Sequence, residues 1–166
     1  FLCPRHQVMR QVAEVLRREI GRTVLLQGED NKQRLLKTFV ENGRAVLVAT
    51  SSFWEGIDVR GAALSCVIID KLPFASPDDP LLKARVDDCK LKGGDPFAEL
   101  QLPKAVIALK QGVGRLIRDR SDHGVLVICD PRMVNKPYGA TFIKSLPAIP
   151  RTRELGSLGS FFDRGA

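Results

Sequence analysis

The sequence predicts an α/β domain built on a mostly parallel sheet with helices on both faces. Three observations carry that expectation. Ala45-Val-Leu-Val-Ala49, Ser65-Cys-Val-Ile-Ile-Asp70 and Val125-Leu-Val-Ile-Cys129 are apolar runs without polar alternation, the pattern of strands buried on both faces. Between the predicted strands lie stretches with apolar residues at helical spacing and with helix start and stop signals. The 166 residues, 44% hydrophobic and 27% charged, are enough for one globular domain with a real core.

Taken in order, Phe1-Leu2-Cys3 reads as the end of a strand closed by Pro4. Val8, Val12, Val15 and Leu16 then recur at helical spacing up to Ile20, with Gly21 as the stop. Thr23 to Gln27 is a short apolar strand. Asn31 can cap a second helix carrying Leu35, Leu36 and Phe39, ended by Asn42-Gly43. The segment from Pro73 to Pro103 breaks the strand–helix rhythm with five prolines (73, 77, 80, 96 and 103) and Gly93-Gly94. Within it, Asp79 to Leu91 suits a helix with Pro80 at its first position. The segment reads as an insertion, about 73–103, packed on the carboxyl edge of the sheet, with a mobile loop near Gly93. Tyr138 to Leu146 predicts a last short helix. From Pro147 onward Pro, Arg, Gly and Ser dominate, so residues 1–146 are read as the domain and 147–166 as a poorly ordered tail.

The net charge is +7, from 26 basic and 19 acidic residues, which favours a polyanionic partner. Five basic residues and one acidic residue fall between Lys104 and Arg120. Cys3, Cys66, Cys89 and Cys129 are far apart with no C-x-x-C, so disulfides are not expected and a cytoplasmic setting is. Cys66 and Cys129 are read as small hydrophobes inside strands. His6 and His123 lack a ligand-spaced companion, and no run approaches the ~18 apolar residues of a membrane span. No signal peptide is visible. A chain that opens mid-strand and without Met is expected to be a piece of a longer protein.

The most informative polar stretch is Gln111-Gly-Val-Gly-Arg-Leu-Ile-Arg118. Read as helix, Arg115 lies about 40° from Gln111 and Arg118 about 20° to the other side, so the three share one face. Leu102, Val106, Leu109, Val113, Leu116 and Ile117 fall opposite. Gly112 and Gly114 beside the polar face each cost roughly 1 kcal/mol in a helix, which makes sense where another backbone or a ligand comes close. Guanidinium forks suit phosphate oxygens; a solvated basic helix face is the plainer alternative. Gly112-x-Gly114 also gives half of a dinucleotide fingerprint, but the third glycine is missing and no strand precedes it.

Q-x-x-G-R-x-x-R resembles the last motif of superfamily 2 helicases. With Trp54-Glu-Gly-Ile-Asp58, Lys71-Leu-Pro-Phe74 and Asp130-Pro-Arg132, the chain from about residue 1 to 153 is similar to the DinG/XPD-like branch of DNA helicases, bacterial DinG type. The resemblance implies a RecA-like second (C-terminal) motor domain, P-loop NTPase-like in fold, whose arginines reach an ATP bound by a neighbouring N-terminal motor domain. It implies phosphate-facing roles for Arg118, Arg115 and Gln111. Gly114, Asp58, Gly56 and Glu55 would lie on the nucleotide side, and Thr50, Ser51, Ser52, Trp54 and Lys71 would contact single-stranded or forked DNA. It further implies ATP and Mg²⁺ as cofactors, 5′→3′ unwinding in repair or replication, and a monomer at the bacterial nucleoid. A 4Fe–4S cluster belongs to the family's other motor domain.

The residues leave several alternatives open. Thr50-Ser-Ser52 follows a strand end, where hydroxyls and free N–H groups can seat a phosphate. Ser52-x-x-Glu55 also fits a helix capping box, and both readings can hold together. Trp54 suits either core or a stacking platform. Lys71 suits either DNA phosphate or solvent. Asp130 is expected to pair with Arg115 or Arg118. There is no G-x-x-x-x-G-K-[ST] loop and no acidic Mg²⁺-holding box. The domain alone is therefore expected not to hydrolyse ATP; a non-catalytic nucleic-acid-binding module is the alternative.

Overall fold

Among the described residues, five strands form one sheet: β1 (Leu2–Cys3), β2 (Val24–Leu26), β3 (Val46–Thr50), β4 (Cys66–Ile69) and β5 (Val125–Ile128). Their spatial order is β2-β3-β1-β4-β5, and every pairing is parallel. The computed structural model describes residues 1–50, 53, 59, 63–114, 116 and 123–163, with backbone alone at 160, 162 and 163. The helices are α1 (His6–Glu19), α2 (Lys32–Asn42), α3 (Pro80–Leu91), α4 (Leu102–Val113), α5 (Arg132–Asn135), α6 (Gly139–Ser145) and α7 (Gly156–Asp163). None is long and apolar enough to cross a membrane.

From β1 the chain passes over β3 to reach β2 and then returns to β3. Right-handed crossovers running in opposite directions place α1 and α2 on opposite faces. The core agrees. Met9 and Ala13 of α1 pack with Cys3, Val24, Leu26 and Val48 on one face. Leu35 of α2, Ala105, Leu109 and Val113 of α4, and Phe142 of α6 cover the other. This is the expected α/β layer architecture, of the RecA-like kind.

The helix signals act as the sequence suggests. Asn31 accepts a hydrogen bond from the Arg34 N–H, and Gly43 closes α2 in the left-handed region at φ 64°. Asp79 accepts from the N–H groups of Leu81 and Leu82, with Pro80 in the first turn of α3. Gly93 is the left-handed residue, φ 78°, of a Schellman cap that ends α3. Its N–H reaches Lys90 O, and the Gly94 N–H reaches Cys89 O.

Three features depart from the sequence reading. Phe97–Gln101, between Pro96 and Pro103, is a π-helical turn leading straight into α4, with the Leu102 N–H bonded to Phe97 O. Pro103 has no N–H to give to Glu99 O, so the α register cannot carry on unchanged there. Cys66 and Cys129 are exposed, whereas Cys3 and Cys89 are buried; all four are free thiols. The exposed pair falls at the start of β4 and just past the end of β5, outside the covered middle of the strands. Finally, α7 occupies Gly156–Asp163, within the stretch read as a tail.

Strand register sets where the loops emerge. Cys3 pairs with Thr50, Leu2 with both Ala49 and Ile69, and Ile69 with Ile128. The carboxyl ends of β1, β3, β4 and β5 therefore stop at one level and form a common rim. The opposite rim carries Ser65 and Gly124, the residues before β4 and β5, joined by a 2.9 Å hydrogen bond from the Val125 N–H to Ser65 O.

Candidate functional site

On the β4–β5 half of the carboxyl rim, Asp130 is 3% exposed although ionisable. Its Oδ2 accepts the Leu72 N–H at 2.9 Å. Arg132 donates its own N–H and its Nε to Oδ1, both at 3.0 Å, and its Nη2 to Oδ2 at 2.6 Å. Burial alone would raise the Asp130 pKa. The hydrogen bonds from Arg132 and Leu72 outweigh it and hold the carboxyl at about 2. Arg132 also lies over the Phe74 ring, 5.2 Å from its centroid. Phe74 in turn stacks on Phe97 and meets Tyr138 and Phe142 edge-on, with centroids 5.7–5.8 Å apart. One carboxylate and one ring thus tie Lys71-Leu-Pro-Phe74, the proline-rich segment and α6 together. Lys71 stands exposed beside this anchor. Gly139 lets α6 start close against α5: a Cβ there would overlap the Met133 carbonyl.

On the β3 half, Thr50 is 6% exposed. Its N–H and its hydroxyl both donate to Gln27 Oε1, at 2.8 and 2.9 Å. Phe53, also buried, has Lys32 Nζ 5.1 Å from its ring centroid. Thr50 therefore meets its neighbours as a buried, bonded hydroxyl.

Gln111, Gly114 and Leu116 belong to the other rim. Helix α4 stops at Val113; Gly114 caps it, and the Leu116 N–H bonds to Val113 O at 2.9 Å. Gln111 thus lies on α4 as projected, while residues 115 and 118 lie outside the described residues. Gln111 is exposed, while Leu109, Val113 and Leu116 are 1%, 1% and 4% exposed, as the stripe predicts. Gly114 has an ordinary right-handed backbone, and a Cβ there would come 3.3 Å from Lys110 O. A Cβ on Gly124 would strike Leu116 and lie 3.2 Å from Ser65 O, which puts Leu116 at the amino ends of β4 and β5. Asp130 lies past the far end of β5, roughly 16 Å away at ~3.3 Å per residue. Among the described residues its charged partner is Arg132, two residues along the same loop; the expected partners Arg115 and Arg118 lie outside the described residues.

Arg115, Arg118, Glu55, Gly56, Asp58, Ser51, Ser52, Trp54 and Ile117 lie outside the described residues. The sequence reading missed Gln27, Lys32 and the aromatic group around Phe74. Among the described residues no group of three or more His, Cys, Asp or Glu side chains could hold a metal ion.

Residues 1–149 match the family model described as the helicase C-terminal domain. The chain belongs to that family. Within it, the chain is 68% identical over 155 residues to "ATP-dependent DNA helicase YoaA" of Escherichia coli K12, covering 93% of this chain and 24% of that protein. It is 59% identical over 160 residues to the protein of the same description from Haemophilus influenzae, covering 96% and 25%. It is 39% identical over 143 residues to "ATP-dependent helicase DinG" of Mycobacterium tuberculosis, covering 86% and 22%. This helicase C-terminal domain thus spans about a quarter of the length of such relatives.

Proposed function

We propose that this domain is the second motor domain of an ATP-dependent DNA helicase, and that it joins a nucleotide-facing rim to a DNA-facing rim. One observation carries the reading. The connection from β3 to β4 leaves the carboxyl rim at Thr50 and re-enters at Ser65, whose carbonyl accepts the Val125 N–H beside Gly124 and Leu116. Because β3 and β4 run parallel in one sheet, on either side of β1, that connection passes from one rim to the other. Asp58 lies midway along it in sequence.

On the nucleotide side, ATP with Mg²⁺, bound mainly by a first motor domain, supplies the phosphoryl group and the charge-neutralising metal. Arg118 stabilises charge developing on the transferring phosphate, a role worth roughly 10³–10⁵ in rate. Arg115 makes a second phosphate contact, and Gln111 orients the attacking water or the γ-phosphate. Gly114 gives close approach, with Glu55, Gly56 and Asp58 on the same side. On the other rim, Ser51, Ser52, Trp54 and Lys71 hold single-stranded DNA, mainly by its phosphates, so binding weakens with salt, and Thr50, whose N–H and hydroxyl are given to Gln27, anchors the start of that stretch. The 4Fe–4S cluster sits in the partner motor domain. The protein unwinds forked DNA 5′→3′ during repair or replication, as a monomer in the bacterial cytoplasm at the nucleoid.

The test uses the full-length protein with Arg118→Ala and Arg118→Lys. ATP turnover falls about 10³-fold or more in both, because a point charge does not reproduce the planar fork. Melting temperature and DNA affinity stay close to wild type. Turnover that survives while stability or DNA affinity drops would assign Arg118 a structural or DNA-contacting role instead, and wild-type turnover indifferent to DNA would favour a binding module.

A further inference from the structure

Gln27 has no part in the readings above, yet its placement is specific. It closes β2, and its own N–H donates to Val48 O of β3 at 3.0 Å. Its side chain then turns along the end of β3, where Oε1 takes both donors of Thr50, a residue 23 positions away. Five residues on, Lys32 lies against the ring of buried Phe53. The short β2–α2 connection thus holds Thr50 and Phe53, the two residues that bracket Ser51 and Ser52 in the chain.

From this geometry we infer that Gln27 is a positioning residue: its amide oxygen fixes Thr50 and so the start of the β3–β4 connection, the stretch proposed above to meet a nucleic-acid backbone. The inference rests on the DNA-facing role proposed for that rim. The chemistry is definite. One oxygen with two lone pairs satisfies two buried donors, and no apolar residue of the same size can replace it. A carboxylate can, because it offers an acceptor oxygen at the same reach. Lys32 supports the far end through the face of the Phe53 ring.

The discriminating pair is Gln27→Leu and Gln27→Glu in the full-length protein, with a single-stranded oligothymidine as the probe. Two readouts are taken: the oligonucleotide concentration giving half-maximal ATP turnover, and hydrogen exchange at the Thr50 amide. In Gln27→Leu the half-maximal concentration rises about tenfold, the equivalent of losing roughly one net hydrogen bond of alignment. DNA-free turnover is unchanged. Exchange at Thr50 accelerates, while Val46 to Ala49 keep their protection. Gln27→Glu restores both readouts to within about twofold of wild type.

An unchanged DNA response in Gln27→Leu would overturn the inference, even with a lower melting temperature. So would equal losses in Leu and Glu, or a weakened DNA response with Thr50 exchange untouched. A wild-type protein whose turnover ignores DNA would remove the proposed function instead; the exchange arm would still decide whether Gln27 holds Thr50.

Discussion

The two halves of the carboxyl rim are fastened by different chemistry. Beside β4 and β5, a buried carboxylate takes four donor groups and an arginine caps an aromatic cluster. Beside β3, one neutral amide oxygen takes two donors, and an exposed lysine lies over one ring. Charge-assisted hydrogen bonds are about twice as strong as neutral ones, and they are the more costly to break when one partner is buried. The Lys71 half is therefore a fixed wall. The Thr50 half is joined through a neutral amide, with a lysine over the Phe53 ring.

The sharpest way to break this comparison is Asp130→Ala. It leaves the Leu72 N–H without its acceptor and Arg132 without its counter-ion, although Arg132 is partly exposed and recovers some hydration. The expected loss is about 3 kcal/mol, or roughly 10 °C in melting temperature. A thermal melt showing a drop under about 2 °C would mean that the anchor is not holding the rim.

Acid probes the same anchor more gently. Asp130 is held at about 2 against an ordinary 3.8. A carboxylate with a depressed pKa adds stability above its unfolded value and loses it as pH falls through the folded one. The contribution is thus fully present above about pH 5 and gone below about pH 2, worth about 2 kcal/mol. Urea melts across that range should show the loss in the wild type and a smaller acid-side slope in Asp130→Asn. Equal slopes would assign acid sensitivity to other carboxylates.

The smallest effect belongs to the β3 half. Thr50→Val removes the hydroxyl donor but keeps the N–H bond to Gln27. It should cost about 1 kcal/mol, or roughly 3 °C. A cost rivalling that of Asp130→Ala would erase the distinction between wall and aligned segment.

The sequence made the layers legible because their signals are local. Asn31, Gly43, Asp79 and Pro80 each act within one turn of the residue that carries the signal. Apolar runs such as Val125 to Ile128 have few ways to fold other than as a covered parallel strand. The end of α4 was less legible. Leu116 is buried at the position a continuing helix would give it, so periodicity alone does not reveal that the helix stops at Val113. Asp130 was expected to pair with Arg115 or Arg118, which lie outside the described residues, and Arg132, two residues away, was passed over; only the strand direction shows that the α4 end is at the opposite rim. Gln27 gave no signal at all, since a single neutral polar residue before a glycine looks like any loop entry.

The bond from the Leu72 N–H to Asp130 closes a loop of 58 residues. Bringing the ends of such a loop together costs roughly 3–4 kcal/mol of chain entropy before a constant term. The bond can therefore form only once α3, α4 and the β4–β5 pairing have already shortened the path between its ends. A contact that joins only after that pairing is expected to be absent from the barrier and present in the native state. Such contacts slow escape from the folded state more than they hasten arrival. Asp130 is then a kinetic lock: its loss should steepen unfolding in denaturant-jump experiments while leaving the refolding rate nearly alone.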